Sequence, residues 1–321
     1  MNGRLLTFNC HEAWVHQLRY LERPLDIIVN LPGRHTRGWD DAMRPLPPCA
    51  RLVTLEDVRG MRQAYDCIIA HNLTDLLDVK DLPGPRLLVI HLTLEGMVLE
   101  QHAQTPLEDF RSAVGRFVAK TRTHVVAISE LKARSWGLTT DIVSSCADPA
   151  EYPAWQGDLA RGLRVSNFVL RRARTLRWDF HQKAFSDLPV TLVGHNPEMP
   201  GVSASPDWAA LKETFAHHRF FVHTADLQLE DGYNMATLEA MAAGLPVLGN
   251  RHPTSPIEHG VSGFLSDDPV ELNGFARRLM ADRALAEGMG RAAQRTVGER
   301  FSPAKFACSL SRSIARAQSL R

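Results

Sequence analysis

Apolar residues along this chain fall into short unbroken runs, separated by longer stretches in which they recur every three or four positions. The runs at 4–8 (RLLTF), 25–31 (LDIIVNL), 65–71 (YDCIIAH), 86–92 (RLLVIHL) and 124–129 (HVVAIS) predict strands buried on both faces, since a strand with one wet face would alternate. Between them, the stretch at 106–121 sets Leu107, Phe110, Val114, Phe117 and Val118 along one side of a helix. A second series follows, with strands predicted at 162–169, 189–195, 219–224 and 246–250. Helices are predicted at 173–186, 207–217, 236–243 and 269–280. Strands that alternate with helices imply parallel sheets covered on both faces. The break between the series falls in DPAEYPAWQGDLARG at 148–162, rich in Pro, Gly and polar residues. The expectation is an α/β protein of two parallel-sheet domains, 1–153 and 154–303. Ligands should bind in a cleft at the carboxyl ends of the strands. A last helix, 304–318, carries Phe306, Leu310 and Ile314 on one stripe.

Composition narrows the classes. The 321 residues are 44% apolar and 23% charged, with a formal net charge of +1. That balance gives no global field for nucleic acid. No apolar run reaches the roughly 18 residues of a membrane span. The N-terminal stretch lacks the pattern of a signal peptide. The five cysteines form no Cys-x-x-Cys pair. These features predict reduced thiols and a cytoplasmic protein. Neither G-x-G-x-x-G nor a P-loop is present, which removes the usual dinucleotide and ATPase signatures. In HEAWVH, His11 and His16 are five apart, about 140° round a helix, so they could not share a metal there. WDD at 39–41 and DD at 267–268 read as turn acids. No metal ligand is predicted.

The most informative stretch is EDGYNMATLEAMAAGLPV, 230–247. Its turn precedes a helix, and the amides of Gly232, Tyr233, Asn234, Met235, Ala236 and Thr237 lie at or near the helix start. Such amides carry partial positive charge and suit a diphosphate. Gly232 would let backbone and ligand approach closely. Glu239, two turns in, could accept from a sugar diol. An ordinary helix capped near Asp231 reads the same spacing equally well. Upstream, Arg171 and Arg172 follow a strand, and guanidinium groups bind diphosphate oxygens in pairs of bonds. VGHNP at 193–197, with Gly194, His195 and Asn196, would suit a base or ribose pocket.

The 230–250 stretch, together with PIEHGVSGFLSDDPVEL at 256–272, resembles the donor domain of retaining glycosyltransferases of family four. VSNFVLRRARTL, VTLVGHNPE, DIVSSCADPAEY and LLVIHL resemble further segments of that family, over about 65–310. The resemblance implies the GT-B fold, two Rossmann-like domains facing an interdomain cleft. The last helix, 304–321, would return to complete the first, acceptor-side domain, and 154–303 would bind the donor. The family's two glutamates eight apart fall on Asp231 and Glu239. The first would contact the transferred sugar, with Glu230 as neighbour, and the second the ribose. Arg172 matches the lysine of the diphosphate loop, and His91 the histidine near the sugar. Asn167 stands in the place of an arginine. Only some ten residues separate Pro197 from Trp208, where the family has another strand and helix.

The implied function is transfer of a sugar from a UDP- or GDP-sugar to an acceptor, with retention at the anomeric carbon and without a metal. No permanently bound cofactor is implied. The acceptor is left open among glycans, lipid-linked and small molecules, with His11 and Glu12 as candidates on that side. An acceptor of the lipid class would bring contact with the inner face of the membrane. Two alternatives stay open. One is a non-catalytic homologue that binds a nucleotide sugar or supports a partner transferase. The other is a sugar-nucleotide epimerase using His11 and Glu12 as acid and base.

Overall fold

In the computed structural model, which describes residues 3–34, 38–61, 64–101 and 105–320, the apolar runs pair into two separate all-parallel sheets. The N-terminal and C-terminal ends of the expected domains, residues 1–2 and 321, lie outside the described residues. The first sheet comprises β1 (Leu5–Phe8), β2 (Leu25–Ile28), β3 (Ala50–Val53), β4 (Cys67–Ala70), β5 (Arg86–Ile90) and β6 (Thr123–Ala127). Their order is β3-β2-β1-β4-β5-β6. The second comprises β7 (Leu159–Val165), β8 (Val190–Val193), β9 (His218–Val222), β10 (Val247–Gly249) and β11 (Gly263–Leu265). Its order is β11-β10-β9-β7-β8. Both are doubly wound sheets. The strand sequence reverses direction between β1 and β4 in the first and between β7 and β9 in the second. Loops at such reversals diverge to opposite faces and leave a crevice at the strand ends.

The chain divides into two units, Met1–Ser145 with Pro303–Arg321, and Cys146–Ser302. In the first, the central strands bury nearly every side chain, as continuous apolar runs require. The helix Leu107–Lys120 turns Val114 and Val118 inward. The helix Pro303–Ser319 packs on the first unit's strands and on the 3-10 helix His16–Leu21. It buries Phe306, Leu310 and Ile314, and Phe306 meets Trp14 edge-on at 6.0 Å. In the second unit, the helix Met235–Ala242 is buried on nearly all sides. This explains its unusual run of alanines. Among the described residues, no helix is long and apolar enough to cross a membrane.

Several elements were not anticipated, among them β11 and the helices Leu55–Met61, Leu73–Asp78, Leu94–Gln101, Glu130–Trp136 and Arg283–Arg300, and three differences have a clear physical reason. The strand β3 was not anticipated, because at the sheet edge it exposes Arg51 and Leu52 and shows no apolar run. It is fixed instead by charge: Arg51 reaches the buried carboxylate of Asp26 at 2.7 Å. The expected strand at 162–169 ends at Val165, and the chain turns at Phe168, which adopts a positive φ of 52°. The expected helix at 173–186 starts only at Trp178. The carbonyl of Leu176 is taken by Thr224 Oγ1 at 2.6 Å and by Arg164 at 3.2 Å, and that of Thr175 by the Asp226 amide at 2.9 Å. Carbonyls drawn towards neighbouring loops are diverted from a regular helical ladder, and 166–177 remains a set of turns.

Candidate functional site

The reversal between β7 and β9 brings two loops together, 166–177 and 223–234. Beneath them lies Arg164, 2% exposed. Its guanidinium donates to Thr224 Oγ1 at 2.9 Å and to the Leu176 carbonyl, and lies over the Trp178 ring. Burial, and then the charge of Arg172, lower its pKa to about 9. His223 donates from Nε2 to the Asp231 carbonyl at 3.1 Å. Burial, then the Arg164 charge, lower its pKa to about 4, so it is neutral at neutral pH. A cationic floor thus underlies the loops and favours negative charge above it.

That negative charge is present in the protein itself. Arg172 binds Glu230 Oε2 at 3.1 Å and joins the two loops. Glu230, Asp231 and Glu239 are all buried. Arg171, the neighbouring candidate, is exposed and turns instead over the Phe168 ring at 5.3 Å.

The helix start departs in detail from the expected cradle of unpaired amides. Its cap is Asn234, not Asp231. Asn234 Oδ1 accepts from the Thr237 amide at 2.8 Å and its own amide bonds Thr237 Oγ1, a reciprocal capping box. The amide of Gly232 is occupied by Thr254 Oγ1 at 2.8 Å, and a Cβ on Gly232 would stand 2.7 Å from that of His252. Its bareness therefore accommodates His252. The hydroxyl of Thr254, accepting from Gly232, donates to His252 Nδ1 at 3.0 Å. Tyr233, Met235 and Ala236 are half-buried. Ala236, second in the helix, belongs to the turn whose amides have no intrahelical acceptor.

The strand-end loop at 194–196 is fastened to the loop after β7. Asn196 Oδ1 accepts from the Val169 amide and its Nδ2 donates to the Ser166 carbonyl. Asn167 accepts from the His195 amide at 2.8 Å. Both asparagines therefore hold loop shape, including the one in the place of the family's arginine. Gly194 has φ of 147°, and a Cβ there would lie 2.2 Å from the Ser166 oxygen. His195 is exposed and meets Phe168 edge-on at 5.0 Å.

In the first unit, His91 follows β5 and stands 3.0 Å from His71, which follows β4. Burial first, then Lys132, lower the His91 pKa to about 3. Glu12 is buried and accepts from Asn9 at 2.8 Å, while His11 is exposed. His16 binds the Pro45 carbonyl at 2.7 Å. His71 went unnoticed in the sequence, although a signal existed: the runs YDCIIAH and RLLVIHL both carry a histidine just past their strand. The roles of Arg164, His223 and Thr254 had no comparable signal, since each depends on which loops meet.

Residues 174–282 match the family model Glycosyl transferases group 1. This span includes Glu230 to Glu239 and begins just after Arg172. No curated protein matched the sequence. Solved structures share the fold along nearly the full chain at low identity. The crystal structure of Anabaena Alr3699/HepE in complex with UDP and glucose superposes with a TM-score of 0.69 at 14% identity, covering 98% of this chain and 99% of that one. Sucrose-phosphate synthase from Thermosynechococcus elongatus gives 0.66 at 12%, covering 97% and 98%. A glycosyltransferase from Rickettsia africae gives 0.66 at 11%, covering 98% of each chain. The two parallel-sheet units have the architecture of GT-B glycosyltransferases, and residues 174–282 of the second match the group 1 glycosyltransferase model.

Proposed function

We propose that the protein transfers a sugar from a nucleoside-diphosphate sugar, a UDP-sugar in the first instance and a GDP-sugar as the alternative, to a hydroxyl acceptor with retention at the anomeric carbon. One observation carries this reading. The ion pair of Arg172 with Glu230 joins the two loops at the reversal of the second sheet, directly before the buried helix of the group 1 domain. The diphosphate would take the guanidinium of Arg172, with Arg171 as neighbour and helix amides such as that of Ala236 completing the site. Glu239 would accept from the ribose hydroxyls. Asp231, or Glu230 once released from Arg172, would hold the transferred sugar, and His91 would contact that sugar as the family resemblance implies. The UDP of the Anabaena structure supports the choice of base.

In this reaction the bond from the anomeric carbon to the diphosphate oxygen breaks, and the acceptor oxygen bonds to the same face. The acceptor proton passes to the departing diphosphate, so no protein base is required. Arg172 and the helix dipole stabilise the negative charge as it develops. Losing one such donor typically costs on the order of 3 kcal/mol in the barrier. No divalent ion at the diphosphate is part of this scheme.

The test is to titrate Asp231→Asn and Glu239→Gln with nucleoside diphosphate, then to measure turnover with the cognate donor. Asp231→Asn should lower turnover while nearly preserving diphosphate affinity, because the free diphosphate has no sugar for it to touch. Glu239→Gln should weaken both, together with the discrimination against 2′- and 3′-deoxy donors. Variants that bind and turn over like the parent would refute the assignment. A thermal-shift series over nucleoside diphosphates identifies the base, since a ligand at 100 times its Kd stabilises by about 2.7 kcal/mol. A second reading, a non-catalytic nucleotide-sugar binder, is favoured by the Glu230 carboxylate being tied up by Arg172. Slow release of nucleoside diphosphate from a bound donor separates the two, because only a working site hydrolyses it.

A further inference from the structure

The first sheet reverses between β1 and β4, and three ligand-type side chains meet there. Cys10 follows β1, His71 follows β4, and His91 follows the adjacent β5. One ligand atom from each, Sγ and two imidazole nitrogens, lies within 4.8 Å of the others. A tetrahedral zinc ion with bonds of roughly 2.0–2.3 Å spaces its ligands about 3.3–3.7 Å apart. The two imidazole nitrogens, 3.0 Å apart, are already near that spacing. A change of well under 1 Å opens them, and the thiol need close by little more.

The rings are held in position. Trp14, itself buried, meets His71 edge-on at 4.9 Å and His91 at 5.2 Å. The tautomer of His71 follows from its bonds. The Thr7 hydroxyl donates to the Ile69 carbonyl at 3.2 Å, so its oxygen accepts from His71 Nε2 at 2.9 Å. The proton of His71 therefore sits on Nε2, and the lone pair of Nδ1 points at His91. A histidine whose far nitrogen is fixed in this way is the usual form of a metal ligand. His71 is buried, while Cys10 and His91 each keep a partly exposed edge, so an ion can enter from solvent.

Charge and protonation agree with this. Burial keeps both imidazoles neutral, the form that ligates. Burial raises the Cys10 thiol above its usual range, and the charges of Asp75 and Glu12 raise it further. An ion must therefore displace one proton from Cys10, forming a metal–sulfur bond as the S–H bond breaks, while the proton that His91 Nε2 donates to His71 Nδ1 moves through solvent to His91 Nδ1 and frees the Nε2 lone pair. The same two carboxylates that disfavour a bare thiolate favour the arriving cation. On the opposing side, Lys132 and His11 act on His91. The site is thus polar in sign, anionic towards the thiol and cationic towards His91.

We propose that Cys10, His71 and His91 form a binding site for a thiophilic divalent cation, zinc by donor chemistry, and that its occupancy withdraws His91 from the sugar-transfer reaction. The second half rests on the role given to His91 above. The first half stands on the cluster alone. One sulfur and two nitrogens leave a fourth position open for water, unlike the four protein ligands of a structural zinc site.

Cobalt(II) added to the reduced, metal-free full-length protein provides the probe. One equivalent should produce a thiolate-to-cobalt charge-transfer band and the visible bands of tetrahedral coordination, with both lost on adding zinc. Cys10→Ser should abolish the charge-transfer band, and Thr7→Val should weaken binding 10- to 100-fold by freeing the His71 tautomer. Circular dichroism of each variant shows whether the fold is retained. Absence of the band in the parent overturns the site and leaves a hydrogen-bonded histidine pair. Donor hydrolysis, or transfer to a model acceptor, is then measured with and without zinc. Inhibition that a chelator reverses, and that Cys10→Ser loses relative to its own metal-free rate, supports the regulatory half. A bound ion without inhibition overturns that half alone. A protein inactive in every metal state overturns the transferase reading and the regulatory half with it, while the cobalt spectrum still decides the site.

Discussion

At the reversal of the first sheet the side chains are soft and neutral: a thiol and two imidazoles under an indole edge. At the reversal of the second they are hard and charged: Arg164 and Arg172 beside Glu230 and Asp231. The backbone problem is the same in both, since loops diverge from parallel strands and expose amides and a crevice. On the assignments proposed above, the answers differ because the two crevices suit different partners. A diphosphate carries concentrated charge and calls for guanidinium groups already desolvated and aimed. Neutral hydroxyls and soft ions call for lone pairs that are not protonated. One sheet geometry therefore hosts two chemistries, and strand-end residues determine which.

The contrast can be broken from either side. The largest effect should come from Phe306→Ala, which empties a fully buried position against Trp14. Removing a buried phenylalanine typically costs about 3–5 kcal/mol. The first unit should lose that stability in a urea melt followed through a probe near Trp14. Nucleoside diphosphate affinity, assigned to the second unit, should persist at low denaturant. Equal loss of both would mean that the two crevices are not energetically separate.

Gly194→Ala attacks the second unit in the same spirit. The new Cβ meets the Ser166 carbonyl at 2.2 Å with φ of 147°, a combination worth roughly 2–4 kcal/mol of strain. Nucleotide binding should fall with stability, while cobalt binding at Cys10 should be unaffected. Next comes Arg172→Ala, which should weaken nucleoside diphosphate binding by about 1.5–3 kcal/mol, the range for bonds to charged groups, and leave nucleoside binding nearly unchanged. Equal losses for nucleoside and diphosphate would move the diphosphate elsewhere.

The smallest effect per group and per pH unit is a slope with pH. An unfolded imidazole titrates near pH 6.5. Burial holds His16 and His91 in the first unit down to about 3, and His223 in the second to about 4. Below about 6.5 the unfolded chain binds protons that the folded one refuses, so stability is lost as pH falls towards 3–4. Each fully titrating histidine contributes about 1.4 kcal/mol per pH unit. Asp75 has the opposite sign. Burial above all raises it to about 6, so the folded state holds a proton that the unfolded state releases above about 3.9. Stability from that group grows as pH falls from 6 towards 4. The melting temperature should therefore drop from pH 7 to 5, and Asp75→Asn should steepen the drop in the first unit only. A melting temperature that rises on acidification would contradict the sign.

Much of the fold was legible because buried parallel strands must be apolar throughout. The runs around β1, β2, β4, β5 and β6 therefore stood out. The edge strand β3 did not, since a strand paired on one side and held by Arg51 on Asp26 needs no apolar run. The loop after β7 was misread in both directions: Phe168-Val169 looks like more strand, and the stretch from Ala173 to Arg177 looks like helix. Only contacts with Thr224 and Asp226, distant in sequence, decide that neither continues. At the site, residue types were legible and their partners were not. Asn234-x-x-Thr237 is a local capping signal that was present and passed over in favour of Asp231. The bonds of Asn167, Asn196 and Thr254 join separate loops, so no window of sequence contains them. His71 lay between these cases, visible as a strand-end histidine but meaningful only beside His91 and Cys10.

The connectivity of the units has a consequence for biosynthesis. Cys146–Ser302 is spliced into a unit whose two parts flank it. Translation at 5–20 residues per second puts roughly 10–35 seconds between the end of the first part and the arrival of the last helix. Throughout that interval the nascent first sheet lacks the cover that Phe306, Leu310 and Ile314 supply, whereas the second unit has its last strand once Leu265 is made, before that helix emerges. The later-encoded half can therefore finish first on the ribosome. The earlier half must remain protected until its closing segment emerges, so the cell's chaperones would meet this chain at its beginning and release it at its end.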